Sequence, residues 1–98
     1  MTLQDLLEDV AAELDDVEEI ELEGGIEWRR GGQPFAAAAG DAAEFLLQPP
    51  VAAAAIRTPD TRPSPRGAGW VAFAPGTLDE PAADRAEAWL TSAWRHAA

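Results

Sequence analysis

Cysteine, lysine and tyrosine are missing from this 98-residue chain, methionine and histidine each occur once, and no long apolar run is present. Without cysteine there is no disulfide framework and no thiol chemistry. Without lysine, the whole cationic complement is seven arginines set against 18 acids, a formal net charge of −11. Duplex binding needs an excess of basic side chains on at least one face to neutralise phosphates, so a sequence pI near 4.2 argues against nucleic acid as a partner. No apolar stretch approaches the roughly 20 residues of a membrane span, and Met1 to Val10 carry acids with no basic segment, so no membrane association and a cytoplasmic location are expected. The length suits a single domain over residues 1–98, since domains usually run to about 100–150 residues.

What is present is unevenly distributed. Residues 1–28 hold 11 acids and no base, whereas residues 29–98 hold seven acids and seven arginines and sum to zero. The acidic third has three readings: solubility, adaptation to high salt, or a docking face for a basic partner. Much of the 47% hydrophobic content is alanine, so four Trp and three Phe must fill much of the core.

Thr2 and Asp5 form a helix-opening pair, and Leu3, Leu6, Leu7, Val10, Leu14 and Val17 recur at helical spacing, which predicts a first helix over about residues 2–15. From Glu19 the period falls to two. Ile20 and Leu22 alternate with glutamates, Gly24-Gly25 supplies a tight turn, and Ile26, Trp28 and Arg30 continue the alternation. Turns at Gly31-Gly32 and Gly40-Asp41 complete an antiparallel meander of four strands, which Pro49-Pro50 breaks. A short helix over Val51–Arg57, a proline-rich loop over 58–69, a strand over Trp70–Ala74 and a helix over Glu80–His96 capped by Asp79 follow.

The expected fold is therefore two-layer α+β in the order α-β(4)-α-β-α, with helices on one face of an antiparallel sheet of about five strands. The predicted core comprises Leu3, Leu7, Val10, Leu14, Ile20, Leu22, Trp28, Phe35, Phe45, Leu47, Val71, Phe73, Trp89 and Leu90. All four tryptophans fall at positions where a core residue is expected.

Several segments resemble the MmcQ/YjbR family of small bacterial proteins. They are Asp16-Val17-Glu18-Glu19 after the first helix, Trp28 to Ala36 around the Gly-Gly turn, Glu44 to Pro49 leading into the second helix, and Trp70-Val71 opening the last strand. The resemblance covers nearly the whole chain in pattern and order more than in identity. It implies a fold similar to that of secretion-chaperone-like proteins and a DNA-binding label through a proposed winged motif. In that family the loop before the Trp carries Lys or His, where this chain has Arg66-Gly67-Ala68-Gly69.

Candidate chemistry centres on Arg29 and Arg30 at a hairpin and on Arg57, Arg62 and Arg66 flanking or within the 58–69 loop, with Trp70 just beyond it. Arginine forks match carboxylate and phosphate bidentately, so Arg29, Arg30, Arg62, Arg66 and Trp70 would form an anion site if the loop folds over the hairpin. The alternative is that these arginines neutralise the acids of the first 28 residues. No catalytic constellation stands out: His96 lies near the chain's end, and neither Ser64 nor Ser92 sits in a nucleophile elbow. No metal ligand set and no cofactor are expected. Two kinds of function remain, a small binding or adaptor module with a protein partner or as a homodimer, and a domain that binds a small anionic ligand or acts on one through the 58–69 loop.

The charge balance carries a testable consequence. In a titration at about 0.15 M salt, duplex DNA is expected to bind no tighter than the ordinary non-specific range of roughly 10⁻⁴–10⁻⁶ M. A sub-micromolar complex would restore a nucleic-acid role.

Overall fold

The computed structural model describes residues 1–98. Helix α1 spans Leu3–Ala11, opened by a reciprocal cap. The Asp5 amide donates to the Thr2 hydroxyl at 3.1 Å, and the Thr2 amide donates to the Asp5 carboxylate at 2.9 Å. These hydrogen bonds hold the Asp5 carboxyl below its ordinary range. The helix stops short of the expected residue 15. Glu13, Asp15 and Asp16 would occupy its last turn, where the negative end of the helix dipole disfavours carboxylates, and Asp16 instead takes a left-handed φ of 59°. Strands β1 (Glu18–Leu22), β2 (Gly25–Arg30), β3 (Gln33–Ala39) and β4 (Ala42–Leu46) form the expected meander. Helix α2 (Pro49–Ala55), strands β5 (Thr61–Pro63) and β6 (Trp70–Phe73) and helix α3 (Glu80–His96) follow.

The α+β class and the packing of helices on an antiparallel sheet are as expected. The sheet has six strands in the order β1-β2-β3-β4-β6-β5. The additional strand, β5, lies inside the 58–69 segment: Thr61 pairs with Phe73 and Pro63 with Val71. Three prolines concealed it from any periodicity argument, and it is anchored from outside the sheet by the Thr61 hydroxyl, which donates to the Ala55 carbonyl at the end of α2 at 2.7 Å. The two edges of the sheet are β1, with three glutamates, and β5, with Pro63.

Helices α1 and α3 pack on each other and on β3 and β4. Leu3 and Leu7 from α1, and Ala86, Trp89, Leu90 and Ala93 from α3, cover Trp28, Phe35, Phe45, Val71 and Phe73. The end of α3 is tied to the chain after α1 by the Trp94 indole, which donates to the Asp15 carbonyl at 2.7 Å. No helix of the protein is long and apolar enough to cross a membrane.

Two core assignments are corrected by the register of β1. Glu19 sits opposite Trp28 and Glu21 opposite Ile26, so these acids share the helix-side face while Ile20 and Leu22 turn to the other. Leu22 is 44% exposed and Ile20 half-buried. The helices reach only the middle of the sheet, which leaves the glutamates solvated, and Glu19 accepts a 3.2 Å hydrogen bond from the Trp28 indole. Val10 and Leu14, also expected in the core, are half-buried at its margin. Trp28 and Trp89 are buried, but Trp70 and Trp94 are half-buried, each beneath an arginine.

Trp89 meets Phe73 edge-on with ring centroids 5.1 Å apart and lies 6.1 Å from Phe45, so its removal opens a cavity between helix and sheet. Trp89→Ala is expected to cost about 3–5 kcal/mol in a denaturant melt. A midpoint that barely moves would place Trp89 outside the structural core.

Candidate functional site

Because successive side chains of a strand point to opposite faces, the register that buries Trp28, Phe45 and Val71 under the helices sets a second series of residues on the uncovered face. One row across all six strands reads Ile20, Glu27, Ala37, Glu44, Ala72, Arg62. The neighbouring row brings Leu22 opposite Gly25 and Ala39 opposite Ala42. Between these rows runs a trough of about 410 Å³, floored by Ala37, Ala39, Ala42, Ala72 and Ala74. Leu22 stands at one end and Arg62 at the other, with Pro65 and Arg66 forming a wall. Gly25 permits the floor to close, since a Cβ there would stand 2.3 Å from the Ala38 carbonyl oxygen.

The wall is the segment 64–69 folded back over the sheet. Gly69 holds its far end: its φ of 82° favours glycine, a Cβ would lie 3.1 Å from the Leu47 carbonyl, and its own carbonyl accepts from the Leu47 amide at 2.9 Å. From this segment Arg66 extends over Ala37. Its Nε donates to Glu44 at 3.0 Å and its Nη1 to Glu27 at 2.9 Å. Glu27 and Glu44 are two strands apart, about 10 Å by strand spacing, and the small Ala37 side chain between them leaves room for the guanidinium. Arg29 donates to the second Glu27 oxygen at 2.7 Å, the Ser64 hydroxyl donates to Glu44, and the Arg66 amide donates to the Ser64 hydroxyl at 3.1 Å. The Arg66 guanidinium also lies 5.0 Å from the centroid of the Trp70 ring.

Glu27 is 6% exposed and Ser64 7%, the two buried polar side chains of the sheet region. Burial pushes the Glu27 carboxyl up, but hydrogen bonds and charge from Arg66 and Arg29 outweigh it and hold the group below the usual glutamate range. Burial likewise works against the Arg66 charge, and Glu27 and Glu44 more than offset it, raising its pKa further above the ordinary arginine value.

The arginines expected to converge are therefore divided. Arg29, Arg62 and Arg66 lie on the open face. Arg30 does not: as the residue after Arg29 it points to the helix side, where Nη1 donates to the Trp94 carbonyl at 2.9 Å and the guanidinium lies 4.1 Å from the Trp94 ring centroid. Trp70 is covered by Arg66 and does not line the trough. Of the N-terminal acids, Glu27 alone pairs with arginine; Glu44 is the other counter-charge. Arg62 is exposed and makes no ion pair or side-chain hydrogen bond. The sequence marks neither Glu27 nor Glu44 as a site residue and offers Ser64 only as a nucleophile; an acid alternating with Ile26 and Trp28 is the available signal for Glu27, and nothing local marks Glu44. No three carboxylate or imidazole groups converge closely enough to hold a metal ion.

Comparison with family models, curated proteins and solved structures returns no match to this chain.

The ionic cluster makes a pH-dependent contribution to stability. Because the folded Glu27 pKa is depressed, its contribution is present above the unfolded value of about 4.3 and disappears as pH falls through the folded value. Glu27→Gln is expected to destabilise the protein by about 1–2 kcal/mol at pH 7, the partly exposed arginines limiting the effect. The difference between wild type and variant in urea melts should narrow as pH falls below the unfolded value of about 4.3. An equal difference at pH 3 and pH 7 would show that the Glu27 charge is not what matters.

Proposed function

We propose that the protein is a small non-catalytic binding module that holds an apolar small ligand in the trough on the open face of its sheet. The observation that carries this reading is the trough itself: a sheet face left uncovered by helices, floored by alanines and walled by a fixed segment, on a chain whose surface is otherwise strongly acidic. A solvated sheet face is ordinarily clothed in polar side chains. Here one row of that face is apolar and recessed beside the Arg66 cluster, the form that ligand sites take, with a few polar groups at the rim.

The wall supports the same reading. Gly69, the Ser64–Glu44 contact and the two carboxylates that grip Arg66 position the segment before any ligand arrives, so little ordering remains to be done on binding. A catalytic reading has less behind it. The Ser64 hydroxyl is buried against Glu44, and His96 lies exposed in the last turn of α3. The nucleic-acid role that the MmcQ/YjbR resemblance implies would call on basic residues before Trp70, and there Arg66 is already occupied by two glutamates.

A neutral apolar dye tests the site. Nile red is expected to gain fluorescence with the folded protein and to lose that gain in Ala39→Glu, a substitution at an exposed floor position that leaves the core intact. Wild-type protein that melts cooperatively yet leaves the dye unchanged would overturn the proposal.

A further inference from the structure

Resting on the trough as a ligand site, we infer that its occupant is an amphipathic monoanion, with its acid group on Arg62 and its apolar body laid across the alanine floor toward Leu22. The open face carries three arginines and two buried or half-buried glutamates in one connected region. Arg29 and Arg66 are matched by Glu27 and Glu44, which leaves Arg62 as the arginine of this face without an ion pair. That guanidinium stands at the β5 end of the trough, with all its donors uncommitted within the protein. It is distinct from the other exposed arginines, Arg57 and Arg95, because its strand register directs it onto the same face as Ala72.

The opposite end has the reverse character. There Leu22 is exposed beside Glu23, which lines the same end of the trough. An acid group is therefore favoured at one end and repelled at the other, which gives the ligand a single orientation. The floor row from Leu22 on β1 to Ala74 beyond β6 crosses five strands, about 19 Å at ordinary strand spacing, and presents no charged side chain along that row. An extended aliphatic body matches that path. A single unpaired arginine at the trough, on a chain of net charge −11, favours a monoanion over a polyanion, whose further charges would meet the protein's own negative field.

Sodium decanoate and decyltrimethylammonium, each titrated below its micelle concentration, and decanol, titrated below its solubility limit, all followed by amide chemical shifts, separate the possibilities. Decanoate is expected to shift the amides of Ala39, Ala42, Ala72 and Ala74 and to bind about tenfold tighter than decanol, the scale of one charge-assisted hydrogen-bond pair. Arg62→Gln should remove that tenfold advantage, and Arg57→Gln, a surface arginine outside the trough, should not. Decanol binding as tightly as decanoate, or an Arg62→Gln variant that retains the preference, would overturn the monoanion while leaving the apolar trough standing. Preference for the ammonium would overturn it with the opposite sign. If none of the three perturbs the trough, the ligand-site reading falls with it.

Discussion

A single layer of helices leaves one face of a six-stranded sheet in water, and most of the unusual chemistry of this protein answers that condition. Half of the sheet's side chains must point away from α1 and α3, yet several are alanines that offer water nothing to hydrogen-bond. Small side chains limit the penalty. At about 25 cal/mol per Å² an alanine exposes far less apolar area than a leucine would, so a bare floor of this composition is tolerable where a leucine floor would drive association. The remainder of the face is covered by ions, and the segment 64–69 carries the covering group.

Arg66 is the piece on which that covering depends. It reaches from a loop at one side of the sheet across β4 and β3 to Glu27 on β2, and in doing so buries a carboxylate on a face that has no helix to bury it. Removing the guanidinium would leave Glu27 with Arg29 alone and would release the wall of the trough. Desolvation opposes the charged form of both partners, so the ion pair is held by geometry: two acceptors, a stacked Trp70 ring and a loop whose backbone is fixed at Gly69. The stability of the loop and the shape of the trough are the same quantity.

The fold was legible because its signals are local. Thr2 and Asp5 mark one helix start and Asp79 another, and Gly24-Gly25, Gly31-Gly32 and Gly40-Asp41 mark the hairpins. β5 was hidden, since a three-residue strand containing Arg62 and Pro63 has no period of its own and exists only because β6 and the end of α2 receive it. Ile20 and Leu22 show the complementary limit. Alternation establishes that they share a face, but which face is decided by pairing with Trp28 and Ile26. The site was less accessible than the fold for the same reason. That Arg29 and Arg30 separate follows from strand geometry alone, whereas the meeting of Glu27, Glu44 and Arg66 depends on the registers of two hairpins and the return of a loop.

The sheet's two margins bear on whether a second copy can add to it. A molecule that displays a recessed apolar face is exposed to a second hazard, strand addition at its edges, which would convert a monomer into a growing ribbon. At one margin β1 would set glutamates against glutamates if two copies paired there. At the other, β5 is three residues long and its Pro63 has no amide hydrogen to offer an arriving strand. Both margins thus carry features that disfavour strand addition by a second copy, and neither the β1 glutamates nor Pro63 is among the buried core residues.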